Sequence, residues 1–306
     1  MIDRLDSELL EQIAGFHDIP AGAYNIRKNS TAAGRRSTEH IEIISKEDKP
    51  GIDIRIAPGT KNESVHIPVI ITEAGIEETV YNDFFVGDDC DVLIIAGCGI
   101  HNSGDQKSEH DGVHRFFIGK NAHVKYVERH YGAGEGTGER VMNPHTKVEL
   151  GENSVCEMEM VQIKGVDSTV RGMDAVLASN AKLVVTERLM THGQQKARSD
   201  MRIELNGTGS SAQVVSRSVA RDGSEQVFNP CAVGNNACAA HIQCDSIIMD
   251  AAKIRSIPEI AANHPDAQVI HEAAIGRINN DQLLKLESFG MTENEAEEII
   301  IEGFLR

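Results

Sequence analysis

The sequence predicts a mainly β fold of stacked turns, a β-solenoid, on three observations. A corner motif recurs: Val86-Gly87-Asp88-Asp89-Cys90-Asp91-Val92 returns as Ile118-Gly119-Lys120-Asn121-Ala122-His123-Val124 and as Leu150-Gly151-Glu152-Asn153-Ser154-Val155-Cys156. The glycines of these copies stand 32 and then 32 residues apart. After each corner, apolar and polar residues alternate with period two, and no helical pattern fills the interval. Looser copies at 177–183, 209–214 and 233–237 follow at steps of 27, 31 and 25 residues. Strands returning at such steps suit turns stacked about 4.8 Å apart. A sandwich would instead show hairpins every ~8–12 residues with Asn-Gly or Asp-Gly turns.

Each element then has its own reason. Leu5, Leu9, Leu10, Ile13 and Phe16 form one helical stripe, with Gly15 near the stop. Gly22, Gly34 and the pair Arg35-Arg36 read as a connector, so residues 1–40 form an N-terminal helical segment and connector. Ile52, Ile54 and Ile56, then Val65, Ile67, Val69 and Ile71, begin the alternation of a solenoid core over residues 41–279. Cys90/Val92/Ile94, Ala122/Val124/Tyr126, Ser154/Cys156/Met158 and Ala181/Leu183/Val185 are its expected inward rows. Residues 280–306 form a C-terminal helical segment. Asp281–Phe289 is a short helix stopped by Gly290, and Thr292-Glu293-Asn294-Glu295 is a capping box opening a second helix to about Glu302. A solenoid needs its open ends covered, and helices at each end are expected to do so.

Composition bounds the function. The 306 residues carry 30 Lys and Arg against 47 Asp and Glu, a formal charge of −17. Such a chain lacks the basic field that drives nucleic-acid binding, and it is repelled by anionic membrane surfaces. Met1-Ile2-Asp3-Arg4-Leu5-Asp6 has neither the basic nor the apolar region of a signal peptide, and no apolar run is long enough to span a bilayer. A cytoplasmic protein is the expectation. Six cysteines, at 90, 98, 156, 231, 238 and 244, contain no CxxC and no zinc or ferredoxin spacing, so most read as small core residues.

The segments His241-Ile242-Gln243-Cys244-Asp245-Ser246-Ile247-Ile248 and Val269-Ile270-His271-Glu272-Ala273-Ala274-Ile275-Gly276-Arg277-Ile278 resemble the SufB/SufD family, the scaffold subunits of the SUF machinery for iron–sulfur cluster assembly. Asn280-Asp281-Gln282-Leu283, Gly290-Met291-Thr292-Glu293 and Glu298 through Leu305 extend the resemblance, which is strongest over the last seventy or so residues. It implies a right-handed parallel β-helix and a C-terminal helical segment that docks an ABC-type ATPase, SufC. It also implies a dimer, homodimeric or with a SufB/SufD paralogue, paired through the late turns around residues 236–275. The chain departs from bacterial SufB at Ile270, where that protein commonly has Glu. It departs again at Asp174, which aligns loosely with a functional cysteine. Both make it intermediate between SufB and SufD.

Cys244 and His271 are 27 residues apart, about one turn by the repeat spacing. Thiolate, imidazole and the carboxylate of Glu272 together make an iron-binding set, with soft sulfur for the cluster and harder donors at exchangeable positions. The resemblance therefore implies Cys244, His271 and Glu272 as ligands of a transient iron–sulfur cluster, one that air would remove. The residues alone favour an inert inward Cys244 and a solvated His271-Glu272 turn, and it is the resemblance that reverses this. Extending Ala237, Ala239 and His241 inward points Cys244 outward unless a bulge intervenes, so the alternation leaves its facing open.

Other constellations are weaker. His101, His110, His114, His123 and His130 lie with Asp105, Glu109 and Asp111 in a polar stretch read as a loop of solvated histidines. Cys98 reads as a corner residue. The Gly-rich run 132–138 has no lysine and no following helix, so it is no P-loop, and any ATP is the partner's. The chain is thus expected to be a scaffold and not an enzyme. The alternative, a solenoid lyase or hydrolase acting on carbohydrate, is poorly supplied with aromatic platforms by no Trp and four Tyr. A hexapeptide-repeat acyltransferase lacks its repeats.

Overall fold

The computed structural model describes residues 3–15 and 20–306; Met1, Ile2 and Phe16 of the expected N-terminal features lie outside the described residues. Chain order opens with α1 (Arg4–Ala14), β1 (Ala23–Lys28), β2 (Thr31–Arg36), β3 (Ile41–Ser45) and β4 (Gly51–Ile56). Then follow β5 (Lys61–Ile71), β6 (Glu77–Val86), β7 (Asp91–His101), β8 (Ser108–Ile118) and β9 (His123–Ala133). The middle holds β10 (Arg140–Met142), β11 (His145–Leu150), β12 (Val155–Lys164), β13 (Ser168–Leu177) and β14 (Lys182–Thr191). Next come β15 (Lys196–Leu205), β16 (Ser211–Ala220), β17 (Glu225–Gly234) and β18 (Ala239–Ile248). The chain closes with β19 (Lys253–Ser256), β20 (Glu259–Ala262), β21 (Gln268–Gly276), α2 (Asn280–Glu287) and α3 (Glu293–Leu305).

The strands form a parallel β-helix of two long sheets. The first sheet runs β2-β1-β5-β7-β9-β12-β14-β16-β18-β21, and the second β19-β17-β15-β13-β10-β8-β6-β4-β3. In the second, β11 continues the row of β10 between β8 and β13, and β20 continues β19 beside β17. Pairing is parallel apart from the hairpins β1–β2 and β3–β4, which are antiparallel. The parallel stack of the second sheet therefore starts at β4, not at residue 41. Among the described residues, no helix is long and apolar enough to cross a membrane.

The corners divide the work between two residue types. Asp89, Asn121, Asn153 and Asn180 take the left-handed backbone, with φ of 58°, 55°, 58° and 55°. Their side chains stack turn on turn: Asn121 donates to Asp89 at 3.0 Å, Asn153 to Asn121 at 3.2 Å, and Asn180 to Asn153 at 3.1 Å. The glycines of the motif serve close approach instead. A Cβ on Gly87 would stand 2.5 Å from the Pro58 nitrogen, and one on Gly119 would stand 2.7 Å from the Gly87 carbonyl carbon. Behind each corner the expected inward rows are all buried, and all of them but the polar Ser154 belong to one hydrophobic core between the sheets. Phe84 and Phe116, register partners, stack there with ring centroids 4.3 Å apart.

Two expectations need correction. The helices do not cover the solenoid's ends. Helix α1 lies along the outer face of the first sheet, where Gly97 and Gly99 leave a groove. A Cβ on Gly97 would meet the Ile13 carbonyl oxygen at 2.8 Å, and one on Gly99 would meet Leu9 at 3.3 Å. Leu9, Leu10 and Ile13 pack there against Ile26 and Ile70, and buried Asp6 pairs with Lys28 at 2.6 Å. The first turn is instead closed by the two hairpins, so the "connector" of residues 23–36 is β1 and β2. Helix α3 likewise lies on a flank, with Ile301 and Leu305 against Val219 and Met249. That leaves the last turn bare: β21 is an edge strand, and Ile257, Ile260, Ile270 and Ile275 are exposed.

Candidate functional site

The late turns step by 29, 28 and 29 residues in register, as Leu183↔Ala212↔Ala240↔Val269, and not by 31 and 25. The small inward residue of the sixth corner is Cys238, not Ala237. Cys238, Ala240, Ile242 and Cys244 therefore face the core, while Ala239 and His241 face out. No bulge interrupts β18 in its pairing with either neighbour. This corrects the expected phase and puts Cys244 inside, at 3% exposure.

His271 also points inward from β21. Its Nε2 stands 3.4 Å from the Cys244 Sγ, and the Ser256 hydroxyl at the end of β19 approaches the same sulfur at 3.2 Å. Burial pushes the Cys244 thiol up. The contact with Ser256 opposes that shift, and the Asp245 carboxylate adds to it. Burial, helped by nearby His241, lowers the His271 imidazole, which favours the neutral, ligating form. Glu272 does not join them. It is opposite Gln243 on the outer face, with its carboxylate 3.4 Å from the His241 Nε2. Among the described residues, no three His, Cys, Asp or Glu side chains are grouped to hold a metal ion. The candidate set of one chain is thus a thiol–imidazole pair at the solenoid's open end.

A polar band continues inward from that pair. Glu187, on β14, accepts from Ser216 at 2.9 Å, Ser199 at 2.9 Å and Arg171 at 3.2 Å, all buried. Further along, Glu128 lies 3.7 Å from His130 and 4.0 Å from His114. The expected loop of solvated histidines is in large part strand. His110, Gly112 and His114 point inward from β8, and burial takes His114 down to about 4. Cys98, too, is a buried residue of β7 and not a corner. Sequence reasoning missed this band, although Glu187 shares the parity of Leu183 and Val185 and was legible from it. Asp174 faces outward from β13, 3.2 Å from His145.

Comparison with known proteins agrees with this architecture. The family model described as SUF system FeS cluster assembly, SufBD core domain, matches residues 82–304. The chain is similar to an iron–sulfur cluster assembly SufBD family protein of Methanocaldococcus jannaschii, 27% identical over 285 residues, covering 92% of this chain and 89% of the relative. A Methanothermobacter thermautotrophicus SufBD family protein is 28% identical over 83% of this chain, which spans only 62% of that relative. A chloroplastic SufBD family protein of Arabidopsis thaliana is 28% identical over 67% of this chain and 38% of its own length. With the family model covering well over half of a chain that folds as a parallel β-helix, the protein belongs to the SufB/SufD family of iron–sulfur cluster assembly proteins.

Proposed function

We propose that this chain is a cytoplasmic, non-enzymatic scaffold subunit of the SUF machinery that holds a nascent cluster at a dimer interface. The approach of Cys244 and His271 to 3.4 Å at the bare last turn carries the reading. Thiolate sulfur and neutral imidazole are both iron donors, and two donors are too few for a cluster. A second chain, a copy or a SufB/SufD paralogue, supplies the rest when it pairs along the β21 edge. The unpaired edge and the exposed isoleucines around it support that pairing. An incomplete ligand set also suits cargo that must leave. The ABC-type ATPase docks on the segment from α2 to α3, where Leu284 of α2, Phe289 in the turn after it and Ile299 of α3 are exposed. Anaerobic reconstitution with ferrous iron and sulfide tests the reading. The wild-type chain with its partner subunit should develop the visible absorption of an iron–sulfur cluster and lose it in air. Normal reconstitution of Cys244→Ala would overturn the ligand assignment.

A further inference from the structure

We propose that the groove at the corner ends of the second sheet is a docking site for an amphipathic helix of a partner protein. That helix is apolar at its centre and basic at its ends, and it lies along the solenoid axis.

The corner motif opens the groove. Gly87, Gly119 and Gly151 recur at one corner and place no side chain there, and with residues 37–43 they bound a space of about 1310 Å³. Its floor is the outward row just before the corner, where Glu42, Arg55, Phe85, Phe117 and Glu149 are consecutive register partners. Phe85 and Phe117 stack with ring centroids 5.2 Å apart and planes 8° from parallel. The Arg55 guanidinium lies 5.8 Å from the centroid of the Phe85 ring. Phe85 is nevertheless 38% exposed, so the centre of the row is an apolar platform open to solvent.

The rung spacing selects a helix. Neighbouring rungs are about 4.8 Å apart and a helix rises about 5.4 Å per turn, so a helix along the axis sets one side chain per turn over each rung. After two turns the spacings differ by about 1 Å, which side chains absorb. An extended peptide has no backbone to pair with here, because β4, β6 and β8 are each bonded to strands on both sides.

Charge selects what flanks the apolar centre. Glu42 and Glu149, at the two ends of the row, are exposed and make no ion pair among the described residues. On the neighbouring outward row, by contrast, Asp83 is held by Lys46 and Arg115. Glu39 lines the groove as well, so its carboxylates outnumber Arg55, which is engaged with the Phe85 ring. Lysine or arginine on the incoming helix complements such ends. The chain's own helices do not fit: α1 and α3 are seated on the first sheet, and α2 carries Lys285 between Asp281 and Glu287.

Two labelled peptides of one composition test the proposal by fluorescence anisotropy against the full chain. The first carries two leucines one helical turn apart, with a lysine one turn beyond one leucine and another two turns beyond the other. The second shuffles the same residues so that no face is apolar. The patterned peptide should bind roughly tenfold more tightly, and Phe85→Ser with Phe117→Ser should erase the difference. Glu42→Lys with Glu149→Lys should weaken the patterned peptide by about the same factor and flatten its salt dependence. Those glutamates are exposed and unpaired, so their reversal leaves the melting temperature unchanged and decides the matter even if the phenylalanine variant folds poorly. Equal affinity for the two peptides, or wild-type affinity for the patterned one in the charge-reversed chain, would overturn the proposal. Binding of cellohexaose that the phenylalanine variant loses, with no preference between peptides, would make the groove a sugar platform instead. A wild-type dimer that the phenylalanine variant dissociates would seat a second copy there, and would overturn it too.

Discussion

Cys244 and His271 meet without being register partners: Cys244 lies opposite Ala273, and His271 opposite Ile242. The offset is two residues, one full period of the strand, so both side chains stay on the inner face. An offset of one would have sent His271 outward, where Glu272 is. The pair therefore depends on the 29-residue step of the last turn, and a one-residue change of its length between β18 and β21 would separate the two donors.

Ligand substitutions should rank accordingly. Cys244→Ala should abolish cluster reconstitution and cost about 1 kcal/mol of stability, since a buried sulfur is removed from a packed row. His271→Ala should give a partial loss, because water or a small thiol replaces a harder donor. Glu272→Ala should reconstitute nearly as wild type, since its carboxylate faces away from the sulfur. Absorbance per chain after anaerobic reconstitution reads all three. A Glu272→Ala loss as severe as that of Cys244→Ala would mean the outer face holds the cluster.

The bare last turn sets the expectation for assembly. Ile257 and Ile270 are 47% and 54% exposed beside the unpaired edge. The wild-type chain should sediment as a dimer at micromolar concentration, and the double variant Ile257→Glu, Ile270→Glu as a monomer of unchanged melting temperature. A dimer that survives both charges would have its interface elsewhere.

Most of the stack was legible because period two needs no tertiary knowledge. Val124 and Tyr126, or Leu183 and Val185, declare their inner face by parity alone. The reading failed where a long-range fact decides. At the sixth corner, Gly234-Asn235-Asn236-Ala237-Cys238 offers two small residues, and only the register with β16 shows that Cys238 turns inward. The hairpin β1–β2 was hidden because Asn29-Ser30, with φ of 46° and 64°, makes the tight turn that Asn-Gly usually signals. The seat of α1 depends on Gly97 and Gly99, eighty residues or more downstream of it. For the candidate site, sequence located Cys244 and His271 but left the facing of Cys244 open, because only the register of β18 with its neighbours fixes it.

Acid should find the buried histidines. His114 falls to about 4, chiefly through burial, from an unfolded value near 6.5. The unfolded chain therefore takes the proton first, and stability drops as pH falls from about 6.5 toward 4 while staying intact above that window. The full effect is about 3 kcal/mol. His66 falls to about 4 through burial as well, so His114→Gln should remove only part of the slope. Urea unfolding at several pH values from 4.5 to 7.5 measures it. A slope identical in wild type and variant would show that His114 is protonated equally in both states.

The last prediction concerns the ATPase. Helix α3 divides its apolar residues: Ala296, Ile301 and Leu305 are buried, and Ile299 is 45% exposed. Helix α2 buries none: its Leu284 is 61% exposed, and Phe289 in the turn that follows is 70% exposed. The acidic residues divide too. Arg221 bonds Glu298 and lies 3.9 Å from Glu297, and Glu295 caps the helix through Thr292, so these help hold α3 in place. Removing residues 281–306 would uncover Val219 and Met249 and would confuse docking with folding. Point changes separate the two. Phe289→Asp with Leu284→Asp should weaken ATPase binding at least tenfold, mainly through faster dissociation, with the melting temperature unchanged. Glu287→Lys and Glu293→Lys should instead slow association and flatten its dependence on salt. Unchanged ATPase affinity in the Phe289/Leu284 variant would move the docking site off these helices.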